Sequence, residues 1–262
     1  MIKTKRGQVT IFIIIAVVIV LVTVLFFVFK GSLIGDLNSE NKIIPDYAQD
    51  VKSKFDECLK MATDNTLIIN SFQGGYYELP DNSLSFLFEE LSFEGEVPYY
   101  FDGASQLLPS KITIENQLSS GIKEEIQNCV DALEFQQPVI VNYSFDNSEF
   151  AAILTDSQEI SINSKIPLSI VLNDSAFSFN SFSYTTKSDY LQLYSLAREI
   201  TLQQKPDSIC LTCIDGLAEK YKLNVSSIEI PGDADYKIIY FITSEKSEGV
   251  NLFAFAHRFN LE

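Results

Sequence analysis

Residues 9–29, VTIFIIIAVVIVLVTVLFFVF, hold no charge, no glycine and no proline, and no other stretch restricts the chain so strongly. At about 1.5 Å of rise per residue, a helix from Ile11 to Phe29 covers roughly 28 Å, close to the thickness of a bilayer's hydrocarbon core. Lipid offers no partner to backbone N–H and C=O groups, so one spanning segment has to be helical. Lys3, Lys5 and Arg6 precede the run, and the first acidic residue is Asp36. This bias predicts a cytoplasmic N-terminus and an extracytoplasmic remainder in a single-pass membrane protein. A cleaved secretory signal fits less well, because the run is too long and no small-x-small site follows it. A buried soluble helix would need a polar face, which this segment lacks.

The part beyond the run is long enough for one large domain or two small ones. Lys3, Lys5, Arg6 and Lys30 account for four of the 19 basic residues, leaving 15 against all 35 acidic ones, a net charge of about −20. Such a surface repels phosphate and argues against a nucleic-acid partner. All four cysteines, Cys58, Cys129, Cys210 and Cys213, lie beyond the apolar run, where disulfides persist if that part is exported. Asn142-Tyr-Ser, Asn173-Asp-Ser and Asn224-Val-Ser match the N-glycosylation sequon.

Lys5-Arg6-Gly7-Gln8-Val9-Thr10, running straight into the apolar stretch, resembles the class III (type IV pilin-like) signal of archaeal surface proteins. The resemblance implies cutting after Gly7 by a membrane peptidase, with Gln8 as the new N-terminus. Thr10 matches the usual hydroxyl residue, whereas Phe12 stands where pilins carry a glutamate that pairs with a neighbouring subunit's amino terminus. The N-terminus is also similar to that of a group of single-span archaeal proteins that begin KxGQVTIFI and carry a large external domain. Gln73-Gly74-Gly75-Tyr76, followed by Leu79-Pro80, agrees with that group. A place in the archaeal cell envelope is what the likeness implies.

Residues 31–44 read as a polar linker. Pro45-Asp46 opens a helix with Val51, Phe55, Cys58, Leu59 and Ala62 on one face, and 111–134 reads as a second helix with Ile114, Leu118, Ile122, Ile126, Cys129, Val130 and Leu133 on one face. Phe55-x-x-Cys58-Leu59-x-x-Ala62 mirrors Ile126-x-x-Cys129-Val130-x-x-Leu133, so each thiol borders an apolar stripe that needs a partner helix. Cys58–Cys129 is the preferred bridge, with two separate buried thiols as the alternative. Between these helices, 73–110 reads as irregular. It holds Gly74-Gly75, Tyr76-Tyr77, Tyr99-Tyr100, three prolines and the carboxylates Glu89, Glu90, Glu94 and Glu96. A stretch of that length either serves a function or contains small strands. Tyr76, Tyr77, Tyr99 and Tyr100 are the candidate contact surface for a partner, with packing onto the core as the plainer reading.

From Pro138 the period becomes two. Strands are expected over 139–145, 149–155, 159–163, 167–172 and 176–185, and again over 225–230, 236–243 and 252–259. Helices are expected from Ser188 to about Gln203, capped by Ser188 and Asp189, and after Pro206. Strands in runs with helices set apart predict an α+β fold of mainly antiparallel sheet with packed helices, divided into 45–137 and 138–262.

Cys210-Leu-Thr-Cys213 alone carries intrinsic chemistry. At a helix start the partial positive charge lowers a thiol's pKa and favours disulfide exchange. A local structural disulfide is the simpler reading, because no buried strand leads into the motif. Zinc would have to recruit Cys58 and Cys129. His257 alternates with Phe253, Phe255, Phe259 and Leu261 and reads as a packed imidazole. Asp233-Ala-Asp235 offers too few carboxylates for calcium. There is no Gly-x-Ser-x-Gly, His-Glu-x-x-His or phosphate-binding glycine loop. No catalytic residue, metal or cofactor is assigned. The expectation is a bilayer-anchored structural or interaction protein that contacts another envelope protein or a glycan. A minor pilin-like subunit and a tethered thiol oxidoreductase are the alternatives.

Overall fold

The computed structural model describes residues 44–88, 93–136, 138–205, 209–231, 235–245 and 252–259. The apolar run 9–29, most of the linker and the Gly7-Gln8 junction lie outside them. Among the described residues no helix is long and apolar enough to cross a membrane. Pro45–Glu262 form one compact unit.

Helix α1 (Asp46–Phe72) begins after Pro45, whose extended backbone precedes the first turn. Its stripe of Ala48, Val51, Phe55, Leu59, Ala62 and Leu67 is buried, as the 3–4 spacing predicts. Helix α2 (Lys111–Asp131) is capped by Ser110, whose Oγ accepts from the Thr113 amide at 3.1 Å. Its stripe, Ile114, Leu118, Ile122, Ile126 and Val130, has no exposed surface at all. Close approach of the helices is allowed by Gly121, where a Cβ would stand 2.7 Å from Thr66 Cγ2. The two stripes meet, and Cys58 and Cys129 are bonded with Cα atoms 5.6 Å apart. That distance falls inside the disulfide window.

Between α1 and α2 the chain is not irregular. It forms β1 (Ser83–Phe88), β2 (Phe93–Asp102) and the short β3 (Ser105–Gln106). Gly95 and Pro98 interrupt the alternation that would have revealed β2 in sequence. Pro98 is tolerated because it sits where β2 stops pairing with β1 and begins pairing with a later strand.

Six short strands follow: β4 (Ile140–Tyr143), β5 (Glu149–Leu154), β6 (Glu159–Lys165), β7 (Leu168–Leu172), β8 (Ser175–Phe179) and β9 (Phe182–Lys187). They form two antiparallel three-stranded sheets, ordered β4-β7-β8 and β5-β6-β9. The expected single strand 176–185 is two strands that belong to different sheets. Asn173 takes the left-handed conformation (φ 53°) in the two-residue turn that joins β7 to β8. The edge of β5 is covered by α2. There Ser119 Oγ accepts from the Ala152 amide at 2.9 Å and Glu115 Oε1 from the Leu154 amide at 3.0 Å. Helix side chains thus take the place of a neighbouring strand.

Helix α3 (Tyr190–Gln203) and helix α4 (Leu211–Tyr221) come next, then β10 (Asn224–Pro231), β11 (Tyr236–Thr243) and β12 (Leu252–Phe259). The α3 cap comes from Ser188, which accepts from the Tyr190 amide at 3.1 Å, whereas Asp189 makes no side-chain cap. The third sheet runs β1-β2-β12-β11-β10, with β3 beside β2. Every pairing in it is antiparallel except that of β2 with β12. The register slips between Tyr99↔Ala256 and Phe101↔His257, leaving Tyr100 as an extra residue. Tyr100 and Phe101 therefore both enter the main core with Ile238, Tyr240, Phe253, Phe255 and Phe259. On the sheet's other face, Leu84, Phe86, Val97, Tyr99, Ile239, Phe241, Ala254 and Ala256 make a second cluster. The described fold is α+β with mainly antiparallel sheets and four helices.

Candidate functional site

The four tyrosines expected to share one contact surface are divided by the fold. Tyr99 is 4% exposed and Tyr100 not at all, while Tyr76 and Tyr77 are half-buried. The Tyr100 hydroxyl donates to the Gly74 carbonyl at 2.7 Å, holding the turn that ends α1. Gly75 follows with φ 89°, and a Cβ there would lie 2.9 Å from Ile114. Tyr99 lies beneath the Arg258 guanidinium, 5.0 Å from its ring centre, and Arg258 Nε donates to Asp102 Oδ1 at 2.6 Å. That bond, ahead of the others, holds the Asp102 carboxyl below the usual carboxylate range. The Tyr77 and Glu78 amides both donate to Gln117 Oε1, each at 2.9 Å. Burial first, then Glu124 and Glu125, pushes the Tyr77 hydroxyl up to about 12. Tyr99 and Tyr100 are taken up by these interior contacts, so an aromatic surface made of all four is not assembled.

His257 is fully buried among Phe101, Tyr240, Phe255 and Phe259. The Thr201 hydroxyl donates to the Ala197 carbonyl at 2.9 Å and lies 2.9 Å from His257 Nε2. With the hydroxyl proton so used, Nε2 carries the imidazole proton and donates to Thr201. Nδ1 is bare and has no partner among the described residues. Burial alone lowers the ring's pKa to about 3, so the imidazole is a neutral core residue at any physiological pH. Asp235 pairs with Lys237 at 3.3 Å, and Asp233 lies outside the described residues. Among the described residues no three histidines, cysteines or carboxylates stand together as metal ligands. The three sequon asparagines are all exposed, Asn173 at a hairpin turn.

Chemistry-bearing groups converge at the start of α4. Cys210 is its N-cap residue and Cys213 lies in its first turn, and the two are bonded to each other. Both are half-buried, unlike Cys58, which is 2% exposed. Among the described residues no side chain caps this helix. The Cys210 amide donates to Gln204 Oε1 at 3.3 Å, and Gln204 Nε2 donates to the Ile200 carbonyl at 3.0 Å. A buried glutamine thus ties the end of α3 to the cysteine pair. No sequence pattern announces this role, because Gln204 lies outside both helices' apolar stripes.

The far end of α4 is fastened separately. Ile214 and Leu217 are buried. Glu199 accepts from Lys220 Nζ at 2.9 Å and from the Tyr221 hydroxyl at 2.8 Å. These bonds, Lys220 before Tyr221, hold the Glu199 carboxyl below its ordinary range, while burial and then that carboxylate push Tyr221 up to about 12. Helix α4 is therefore held against α3 by contacts that do not involve its sulfurs. Comparison with known proteins finds no match among protein families, curated proteins or solved structures.

Proposed function

We propose that the chain is a membrane-anchored protein of the cell envelope, archaeal by its N-terminal resemblance. In this reading residues 9–29 sit in the bilayer, and the body from residue 45 onward stands outside the cytoplasm. There it works by contact with another envelope protein or a glycan. The observation that carries the reading is that all four cysteines pair, two and two. One bridge is buried between α1 and α2. Such bridges persist in oxidising compartments and are rare where glutathione keeps thiols reduced. The basic N-terminal flank supports the same orientation, and the acidic surface suits a protein or glycan partner over nucleic acid.

Protease added to intact cells tests this. The body is expected to be digested from outside, leaving a membrane-embedded N-terminal fragment that resists carbonate extraction. A body protected in intact cells but digested in inside-out vesicles would overturn the reading.

A further inference from the structure

Of the two disulfides, one is built to last and one is built to be reached. Cys58–Cys129 joins two helices through their packed stripes. Cys210–Cys213 closes only four residues at a half-exposed helix start. From this geometry we infer that Cys210 and Cys213 form a reversible redox site that accepts two electrons from a dithiol, a pair of protein thiols being the chemical class of substrate.

Three observations lead there. Among the described residues no side chain caps helix α4, and its N-cap residue makes no side-chain cap while its sulfur is held in the bridge, where an oxygen acceptor is ordinarily found. The residue at the N-cap position is Cys210 itself. As a thiolate, its sulfur can accept from the first-turn amides and sits at the positive end of the helix dipole. Reduction therefore frees a capping group at the N-cap position, which stabilises the thiolate and lowers its pKa. Secondly, Gln204 fixes the Cys210 backbone from a buried position through its 3.3 Å bond, so the sulfur keeps its place when the bridge opens. Thirdly, Ile214, Leu217 and the Glu199–Lys220–Tyr221 cluster hold α4 independently of the bridge. Opening it does not require the fold to open.

In the exchange, a partner thiolate attacks Cys210 Sγ. The Cys210–Cys213 bond breaks and the electron pair leaves on Cys213, which takes a proton. The partner's second thiolate then attacks the partner sulfur of the mixed disulfide and expels Cys210 as the thiolate that caps α4. The partner leaves as a disulfide, two electrons have moved to the domain, and the second proton goes to solvent. The poorer sulfur acts as leaving group in the first step and the better one in the second. Thiol–disulfide exchange runs fastest in that second step, because its leaving group has the lower pKa.

The test uses the full chain in detergent, equilibrated in reduced and oxidised glutathione at fixed pH, then alkylated and mapped by mass spectrometry. Cys210 and Cys213 are expected to become alkylated together in one two-electron transition while Cys58–Cys129 stays bonded and the circular dichroism is unchanged. In the reduced protein the rate of Cys210 alkylation should titrate with a midpoint below the ordinary 8.5 or so of a free thiol. Cys213→Ser should accumulate a mixed disulfide with oxidised glutathione at least several-fold faster than Cys210→Ser does. The inference falls if the Cys210–Cys213 bridge is reduced only as the fold melts. It falls too if Cys210 titrates at or above the ordinary value. Because this chemistry is read on purified protein, its failure is distinct from failure of the membrane-topology experiment.

Discussion

His257 makes the body sensitive to mild acid, and the size of the effect follows from its surroundings. It is the chain's only histidine. Its native pKa is lowered to about 3 by burial, against 6.5 when free. A proton could add only at Nδ1, which is buried and has no acceptor among the described residues, so the folded state refuses it. The unfolded chain takes that proton below about pH 6.5. The unfolded state therefore binds more protons, and stability falls as pH drops from 6.5 toward 3. Integrated between pH 7 and pH 5, the loss is about 2 kcal/mol. Asp102, Glu149 and Glu199 are held below their ordinary ranges by hydrogen bonds, so their losses come at lower pH. Burial raises Asp64, which acts in the opposite sense. Urea unfolding of residues 45–262 at pH 7, 6 and 5 measures the slope. In His257→Phe the same pH change should cost under about 0.5 kcal/mol, whatever the variant's absolute stability. A flat wild-type profile from pH 7 to 5 would refute the buried neutral imidazole.

The two bridges should differ in worth. Cys58 and Cys129 are 71 residues apart and Cys210 and Cys213 only 3, so chain-entropy arithmetic gives about 4 kcal/mol for the first and about 2 kcal/mol for the second. Urea midpoints of Cys58→Ala/Cys129→Ala and Cys210→Ala/Cys213→Ala check this, and a costlier loss of the short bridge would contradict it. Gly75→Ala should destabilise by at least about 1 kcal/mol, because the new Cβ meets Ile114 at a left-handed φ. Thermal melting reads it, and an unchanged Tm would mean the turn relaxes. N-terminal mass analysis of protein from membranes should find Gln8 as the first residue, and an intact Met1-Ile2-Lys3 terminus would leave an uncut signal anchor.

Both long helices, the later strands and the Cys58–Cys129 bridge were legible because each is specified by residues within a few turns of one another. Apolar residues at 3–4 spacing define a buried face, and two stripes with cysteines at matching positions need only meet for the sulfurs to bond. Alternation did the same for β4 to β7 and for β10 to β12. The fate of 73–110 was written elsewhere. Its strand β2 is fixed by parallel pairing with β12, where Tyr99 meets Ala256, and Gly95 and Pro98 erase the local period. The bulge at Tyr100 then turns Tyr100 and Phe101 into the main core, while Tyr99 is buried in the cluster on the sheet's other face, so Tyr99 and Tyr100 are interior anchors instead of a surface. The cysteine pair at 210 and 213 was visible as a motif. That its helix start would be half-exposed and tied to Gln204 depended on how α3 and α4 pack. Local spacing determines which face of an element is apolar. Only the assembled chain determines what that face meets, because pairing across more than 150 residues leaves no periodic trace in either partner.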